Sequence, residues 1–302
     1  MIAFGPVPSR RLGKSLGVNN VFKKYCTYDC LYCQIGRTDH LIAERRRFYG
    51  TRAVVKEVSE RARDASFDYI TFVPDGEPTL DLDLGEEVRE LKELGKLALI
   101  TNGSLFWRDD VKGDSLAFDW VSVKIDAADE LTWKKINRPG KSLEFRRVIE
   151  GILEFSKAFK GILVSETMLV RGVNDSRESL ERIADLLSEI SPKVAYISIP
   201  IRPPAYRIEA PSEEKVDEAY VVFSARGLKV ELLSRPEAGE FDLGDDPKEG
   251  ILSIVAVHPM RLEVVERELK KRGFDLRVLD ELVGEEKVEI LEYRGEKFLR
   301  KR

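Results

Sequence analysis

The sequence predicts an α/β protein. A largely parallel sheet with crossover helices occupies residues 1–233, and a small winged-helix-like unit follows it. Three observations carry this. Short apolar, β-branched runs alternate with helix-period segments between residues 16 and 225, the pattern of a parallel sheet whose strands are joined by helices. Polar residues gather where those strands run out, which is where parallel barrels place their chemistry. After Leu233 the composition shifts to Pro, Gly and acidic residues, and then to short helical segments and a hairpin.

Residues 1–15, with Gly5, Pro6, Pro8 and Gly13, read as a loop. The first strand covers 16–18 and 21–22. A polar loop through residue 40 follows, then a helix over 53–63 that is apolar at Val54, Val55 and Val58. Residues 69–73 form a buried strand. A helix over 84–94 closes at Gly95. Strands follow at 97–101, running into Asn102-Gly103, and at 120–125. A helix at 143–159 leads to a fifth strand whose apolar ends, 162–164 and 168–170, flank Ser165, Glu166 and Thr167. Ser176 is placed to cap a helix over 180–190. The sixth strand, 194–201, runs into Pro203-Pro204, and a helix over 213–225 ends at Gly227. Six strands are too few for an eight-stranded barrel.

Residues 234–248 read as a linker. Helices over 249–257, 262–272 and 274–283 and a hairpin over 288–299 make residues 249–302 a winged-helix-like domain. Residues 259–302 carry 12 Lys/Arg against 11 Asp/Glu, too balanced for a strong DNA footprint.

The chain has three cysteines, Cys26, Cys30 and Cys33, all within eight residues and spaced C-x3-C-x2-C. A [4Fe–4S] cluster normally takes four cysteines, so three would leave one iron open to another ligand. A closed structural zinc site wants four ligands, and His40 and His258 are not at zinc-knuckle spacing from the loop. An odd, tightly packed set does not build a disulfide framework, and core packing does not gather every cysteine into one loop.

Other constellations lie at strand ends. Gly76 in Asp75-Gly76-Glu77-Pro78 lets backbone approach a ligand, and the Glu77 carboxylate can accept from an ammonium; the same segment also reads as a turn. Asn102 sits in a turn pair. Ser122, Lys124 and Asp126 alternate onto one face of the fourth strand, where they serve either a structural ion pair or ligand contact. Ser165, Glu166 and Arg171 on the fifth strand, and Arg202 after the sixth, carry the same two readings. Arg10, Arg11, Lys14, Arg37, Arg45, Arg46, Arg47 and Arg138 lie in loops. Gathered at one barrel mouth they suit an anionic substrate, although Arg45, Arg46 and Arg47 read better as a solvated run.

The cysteine loop resembles the signature of the radical S-adenosylmethionine (SAM) superfamily. The resemblance implies an open partial (β/α)6 barrel, a cluster on Cys26, Cys30 and Cys33, and SAM on the open iron. It implies SAM contacts at Tyr32, Gly76, Glu77 and Pro78, with Asn102, Ser122, Lys124, Asp126 and Ser165 as further cofactor candidates. Arg10, Arg11, Arg138 and Arg202 are the substrate candidates. An external electron donor such as ferredoxin or flavodoxin is implied as well. Pro6-Val7-Pro8-Ser9-Arg10-Arg11-Leu12-Gly13, Cys33-Gln34-Ile35-Gly36-Arg37-Thr38, Gly76-Glu77-Pro78-Thr79-Leu80, Lys124-Ile125-Asp126-Ala127, Ile136-Asn137-Arg138-Pro139 and Ile201-Arg202-Pro203-Pro204 extend the likeness over about residues 5–210. Together they are similar to a branch near the wyosine tRNA synthases. Those look as if they hold a second cluster on additional cysteines, and this chain has none left.

Composition bounds the partners. A net charge of −4 gives no global basic field for nucleic acid. No apolar run approaches the ~20 residues of a bilayer span, and the N-terminal apolar stretch is short for a signal peptide. The expectation is a cytoplasmic protein, where an oxygen-sensitive cluster survives. Charged residues make up 34% of the chain, which fits the ion-pair networks of a thermophile. The leading reading is an enzyme that abstracts hydrogen from an anionic substrate: tRNA, a peptide or a small metabolite. The rival is a redox-sensing, DNA-binding regulator.

Overall fold

The computed structural model describes residues 1–233, 241–244 and 246–302. The chain begins with a hairpin, β1 (Ala3–Ser9) against β2 (Gly13–Val18). Short strands β3 (Tyr25–Cys26) and β4 (His40–Leu41) pair parallel across the cysteine loop. Then come α1 (Thr51–Arg63), β5 (Tyr69–Phe72), α2 (Leu84–Leu91), β6 (Leu97–Thr101), α3 (Asp109–Ser115) and β7 (Trp120–Lys124). They are followed by α4 (Glu130–Ile136), α5 (Phe145–Ala158), β8 (Ile162–Met168), α6 (Arg177–Ile190), β9 (Ala195–Ser198), α7 (Glu213–Ser224) and β10 (Val230–Leu233).

The main sheet has the order β1-β2-β5-β6-β7-β8-β9-β10. Every pair from β2 to β10 is parallel, and β1 alone is antiparallel. The sheet curls. Arg10, in the β1–β2 turn, donates to the Leu233 carbonyl of β10, so residues near the two edges of the sheet meet. This is the partial barrel expected, with two additions. Residues 1–15 form strands rather than a loop; β1 is an edge strand, where prolines are tolerated because one side needs no donors. A seventh parallel strand, β10, follows the six foreseen. The two-turn helices α3 and α4 are too short and polar to stand out by periodicity.

Alternation sets the two faces of the sheet. Leu97, Leu99, Val121 and Val123 point to the helices and join the main core. Ala98, Trp120, Val164 and Tyr196 point inward and plug the barrel with Leu12 and Leu233. Fully buried side chains of this kind contribute about 1.5–3 kcal/mol each. Ser176 and Ser212 cap α6 and α7, accepting from the N–H of Ser179 and Lys215.

The C-terminal elements are α8 (Pro247–Val257), β11 (Met260–Arg261), α9 (Leu262–Lys271), α10 (Arg277–Gly284), β12 (Val288–Tyr293) and β13 (Glu296–Lys301). Their sheet has the order β11-β13-β12 and is antiparallel. Of the expected linker, 234–240 and 245 lie outside the described residues. The rest is packed: Phe241 and Leu243 are buried, and Asp246 caps α8 by accepting from Lys248 and Glu249 N–H. The core of this unit includes Phe4 and Val7 of β1 together with Ile251, Ile254 and Leu299. The unit is therefore seated on the barrel's edge strand. Among the described residues no helix is long and apolar enough to cross a membrane.

Candidate metal centre and active site

The cysteine loop leaves β2 at the C-terminal edge of the sheet and is pinned from three sides. The Asp29 N–H donates to the Asn137 carbonyl (3.0 Å) and the Leu31 N–H to that of Ile136 (2.9 Å). The Glu77 N–H donates to the Tyr25 carbonyl (2.9 Å). A Cβ at Gly76 would fall 2.1 Å from that carbonyl. Only glycine lets the turn after β5 lie flat on the loop. Lys24 takes a left-handed conformation, φ 63°, uncommon outside glycine.

Each cysteine sulfur then meets one N–H donor. Asn102 Nδ2 stands 3.8 Å from Cys26 Sγ, Asn137 Nδ2 3.6 Å from Cys30 Sγ, and Lys24 Nζ 3.9 Å from Cys33 Sγ. Lys24 is buried, and its ammonium also donates to the Gly36 carbonyl at 2.6 Å. Burial pushes the Cys26 thiol up to about 12, and Glu77 adds to it. A thiol in this setting keeps its proton until a cationic centre displaces it. Among the described residues, no three His, Cys, Asp or Glu side chains are placed to hold one metal ion. A cubane asks for something else, one thiolate on each of three irons. Three sulfurs with three separate donors fit that group. Asn137 and Lys24 were not singled out as site residues from the sequence. Asn137 lies in the Ile136–Pro139 motif, which could have flagged it; a lone lysine carries no signal.

Glu77 is 2% exposed. Its Oε1 accepts from Thr79 N–H (3.2 Å), Thr79 Oγ1 (2.7 Å) and Thr101 Oγ1 (2.5 Å), and its Oε2 from Asn102 N–H (2.9 Å). The carboxylate thus ties the turn holding Gly76 and Pro78 to the end of β6, and keeps one acceptor position on Oε2. Burial raises its pKa, and these bonds oppose the rise.

Asp126, past the end of β7, is buried and satisfied. It accepts from Tyr32 Oη, from Asn137 Nδ2 (2.7 Å) and from Met168 N–H (2.8 Å). Tyr32, expected beside a cofactor, has its hydroxyl held there and its ring 5.4 Å from Lys124 Nζ.

A cavity of about 280 Å³ opens inside the barrel beside Tyr32 and Cys33. Its charged lining is Arg10, Arg11, Lys124, Glu166 and Arg202. Glu166 pairs with Lys124 (2.6 Å) and Arg11 and accepts from Ser198 Oγ (2.9 Å). Burial alone would raise Glu166, but Lys124 and Arg11 outweigh it and hold the carboxyl well below the usual range. Lys124 is thus ion-paired with Glu166, from the neighbouring strand, rather than with Asp126. Arg202 donates to Gln34 Oε1 (2.9 Å) and the Pro259 carbonyl (3.2 Å), and meets His258 Nε2 at 3.0 Å. A guanidinium has no acceptor, so that ring nitrogen accepts. Gln34 Nε2 in turn donates to the Val257 carbonyl (3.0 Å). Val257 and His258 line the cavity, so the C-terminal unit forms part of its wall.

Two sequence candidates lie elsewhere. Arg138 is half-exposed, pairs with Asp29 (3.2 Å) and stacks on Tyr206, off the cavity. Ser165 alternates with the cavity-lining Glu166 and so faces the other side of β8, buried and, among the described residues, without a hydrogen-bond partner. Ser122 shares the inward face of Lys124, one pleat earlier and buried.

The family model of the Radical SAM superfamily matches residues 20–187. A UPF0026 protein of Methanocaldococcus jannaschii is 43% identical over 99% of this chain and 96% of its own length. Among solved structures, a radical SAM methyltransferase from Sphaerobacter thermophilus covers 73% of this chain and 66% of its own, with 20% identity and a TM-score of 0.53. TYW1 with a lysine–pyruvate adduct bound covers 71% and 75%, with 13% identity and a TM-score of 0.54. The matched segment spans the cysteine loop, the Gly76–Glu77 turn and the strands that seat them, and the chain belongs to the radical SAM superfamily, enzymes whose cofactors are a [4Fe–4S] cluster and S-adenosylmethionine.

Proposed function

We propose that Cys26, Cys30 and Cys33 hold the cluster and that the protein acts on a small anionic substrate in the cavity beside Cys33. The observation that carries this is the junction of the two: Cys33 and Tyr32 line the same cavity as Arg10, Arg11 and Arg202. When bound, the cluster would supply an electron for the reductive cleavage of SAM and so the radical chemistry that abstracts hydrogen from the substrate. The chain's own part is positioning and exclusion of water. Asn102, Asn137 and Lys24 donate toward the thiolates. The Gly76 turn presents backbone at the loop, and Glu77 fixes that turn and offers its remaining acceptor position to an ammonium. Arg10, Arg11 and Arg202 meet the substrate's anionic group, while Glu166 keeps Lys124 and Arg11 fixed. Ser122 and Asp126 act as supports for this wall.

The resemblance to the wyosine synthases makes tRNA the first macromolecular substrate to test. The cavity favours a small molecule. Its volume lies near the low end for ligand sites, and the winged-helix-like C-terminal unit walls it. The protein reconstituted under anaerobic, reducing conditions in the cytoplasm's range should bind about four iron and four sulfide per chain and release 5′-deoxyadenosine from SAM. Cys30→Ala should abolish both. Iron near eight, or stoichiometric zinc without iron, refutes the one-cluster reading. Mass spectrometry of tRNA and metabolites from a deletion strain then separates the substrate classes.

A further inference from the structure

Residues 199–212 join β9 to α7 with no helix or strand of their own. A connection this long in a compact domain is characteristically a functional loop. Its two ends are fixed. Pro200, Arg202 and Pro203 are buried at one end and Pro211 at the other. Arg202 is bonded to Gln34 and to the Pro259 carbonyl, and the Tyr293 hydroxyl donates to the Pro200 carbonyl at 3.2 Å.

The middle is held differently. No residue from 204 to 210 is buried. Ile208 is partly buried against the main core. The Arg171 N–H donates to the Glu209 carbonyl (3.0 Å), and the two side chains pair at 2.7 Å with both well exposed. An exposed pair of that kind contributes little. A segment with so little buried apolar contact opens at low cost.

Tyr206 ties this middle part to the cysteine loop. Its N–H donates to the Leu31 carbonyl (3.2 Å) and its hydroxyl to the Asp29 carboxylate. The Arg37 and Arg138 guanidiniums each lie 4.6 Å from the centre of its ring. Asp29 is itself fixed by the Thr38 N–H (2.8 Å) and by Arg138 (3.2 Å). Asp29 and Leu31 flank Cys30, so the contact is made on the stretch that carries the cysteines. Just beyond it, the loop and the connection both line the cavity, with Cys33 and Gln34 on one side and Ile199 to Arg202 on the other. Tyr206 does not line the cavity; it bridges the seam at its rim.

We propose that residues 204–210 are a flap at the mouth of the cavity and that Tyr206 is its latch. Closed, the flap joins the cysteine loop to the 199–203 wall and limits access to the cluster site. Open, it frees the edge of the loop beside Cys30 and lets SAM reach that site. The latch rests on geometry alone, and the passage of SAM rests on the cluster reading above.

Trypsin reads the latch in the full-length protein. Arg202 precedes proline, a bond that trypsin does not cut, so a cut within this connection falls after Arg207. At low trypsin, cleavage tracks the population of the open form. Tyr206→Phe removes one hydrogen bond to a charged acceptor, and cleavage after Arg207 should rise about tenfold at unchanged Tm. Tyr206→Ala also gives up the ring contacts and should be cut faster still. With the reconstituted protein under anaerobic conditions, labelled SAM should associate several-fold faster with Tyr206→Phe than with wild type, at equal iron content. Cleavage at the wild-type rate in both variants overturns the latch. Faster cleavage with unchanged SAM association overturns the flap's control of access. Wild-type protein that takes up no iron overturns the cluster reading instead, and the trypsin comparison, which needs no cluster, still decides the latch.

Discussion

Glu77→Gln tests whether the buried turn after β5 holds the site together. The wild-type carboxylate accepts four hydrogen bonds, three at Oε1 and one at Oε2. An amide keeps one carbonyl oxygen. If that oxygen stays with the two threonines, the NH2 faces the Asn102 N–H and two donors oppose each other. The loss is one charge-assisted bond and one satisfied buried amide, about 2–3 kcal/mol. At ~2–4 °C per kcal/mol for a chain of this size class, Tm should fall by about 4–12 °C. Asn102 also carries the donor aimed at Cys26 Sγ, so the displacement should reach the cluster loop and weaken SAM binding along with stability. The assay is anaerobic thermal unfolding by circular dichroism, beside iron content and SAM affinity. A Tm within a degree of wild type would refute the reasoning, because it would mean that the four bonds contribute nothing. Weaker SAM binding at unchanged Tm would instead make Glu77 a contact with no structural part.

Three further outcomes follow from the geometry. Asn137→Ala should lower the cluster's reduction potential, since an N–H donor favours the more negative reduced state; at about 0.5–1 kcal/mol the shift is ~20–45 mV. Lys24→Met should lower it further, and an unchanged potential by spectroelectrochemical titration counts against both contacts. Glu87 is buried, and burial followed by Asp81 and Asp83 pushes it up to about 9, with Asp81 raised to about 7. The folded state therefore binds more protons than the unfolded one between the ordinary carboxyl range and these values, and stability is lost as pH rises through that window. Glu87→Gln should match wild-type Tm near pH 5 and exceed it by a margin that grows as pH rises toward about 9; parallel Tm curves would sink this. Truncation after Leu233 should uncover Phe4 and Val7 and remove the His258 side of the cavity. We expect a lower Tm and lost substrate turnover, and a truncated chain as stable as the whole would make the unit an independent module.

The amino-acid sequence alone pointed to Cys26, Cys30 and Cys33 as the ligands proposed for the cluster, because spacing within one loop is a local property and C-x3-C-x2-C has few other uses. It determined the order of the helices α1, α2, α5, α6 and α7 and of six parallel strands, because each carries its own 2- or 3.6-residue period. Ser176 was legible as a cap because a serine just ahead of a helical segment is a local signal. Tertiary structure decided what periodicity cannot encode. Strand β1 exists because β2 and α8 pair and pack with it, against the local signal of Gly5, Pro6 and Pro8. Lys124 became an ion pair when register set β8 beside β7 and brought Glu166 to it. Arg138 lies off the cavity because its loop clamps the cysteine segment from outside. Lys24, Asn102 and Asn137 reach three different sulfurs from three separate segments of the chain. The C-terminal unit became a wall of the cavity through Arg202, Gln34 and His258, contacts spanning more than fifty residues of sequence. Such non-local contacts depend on chain closure over the whole sheet, so no window of the sequence contains them.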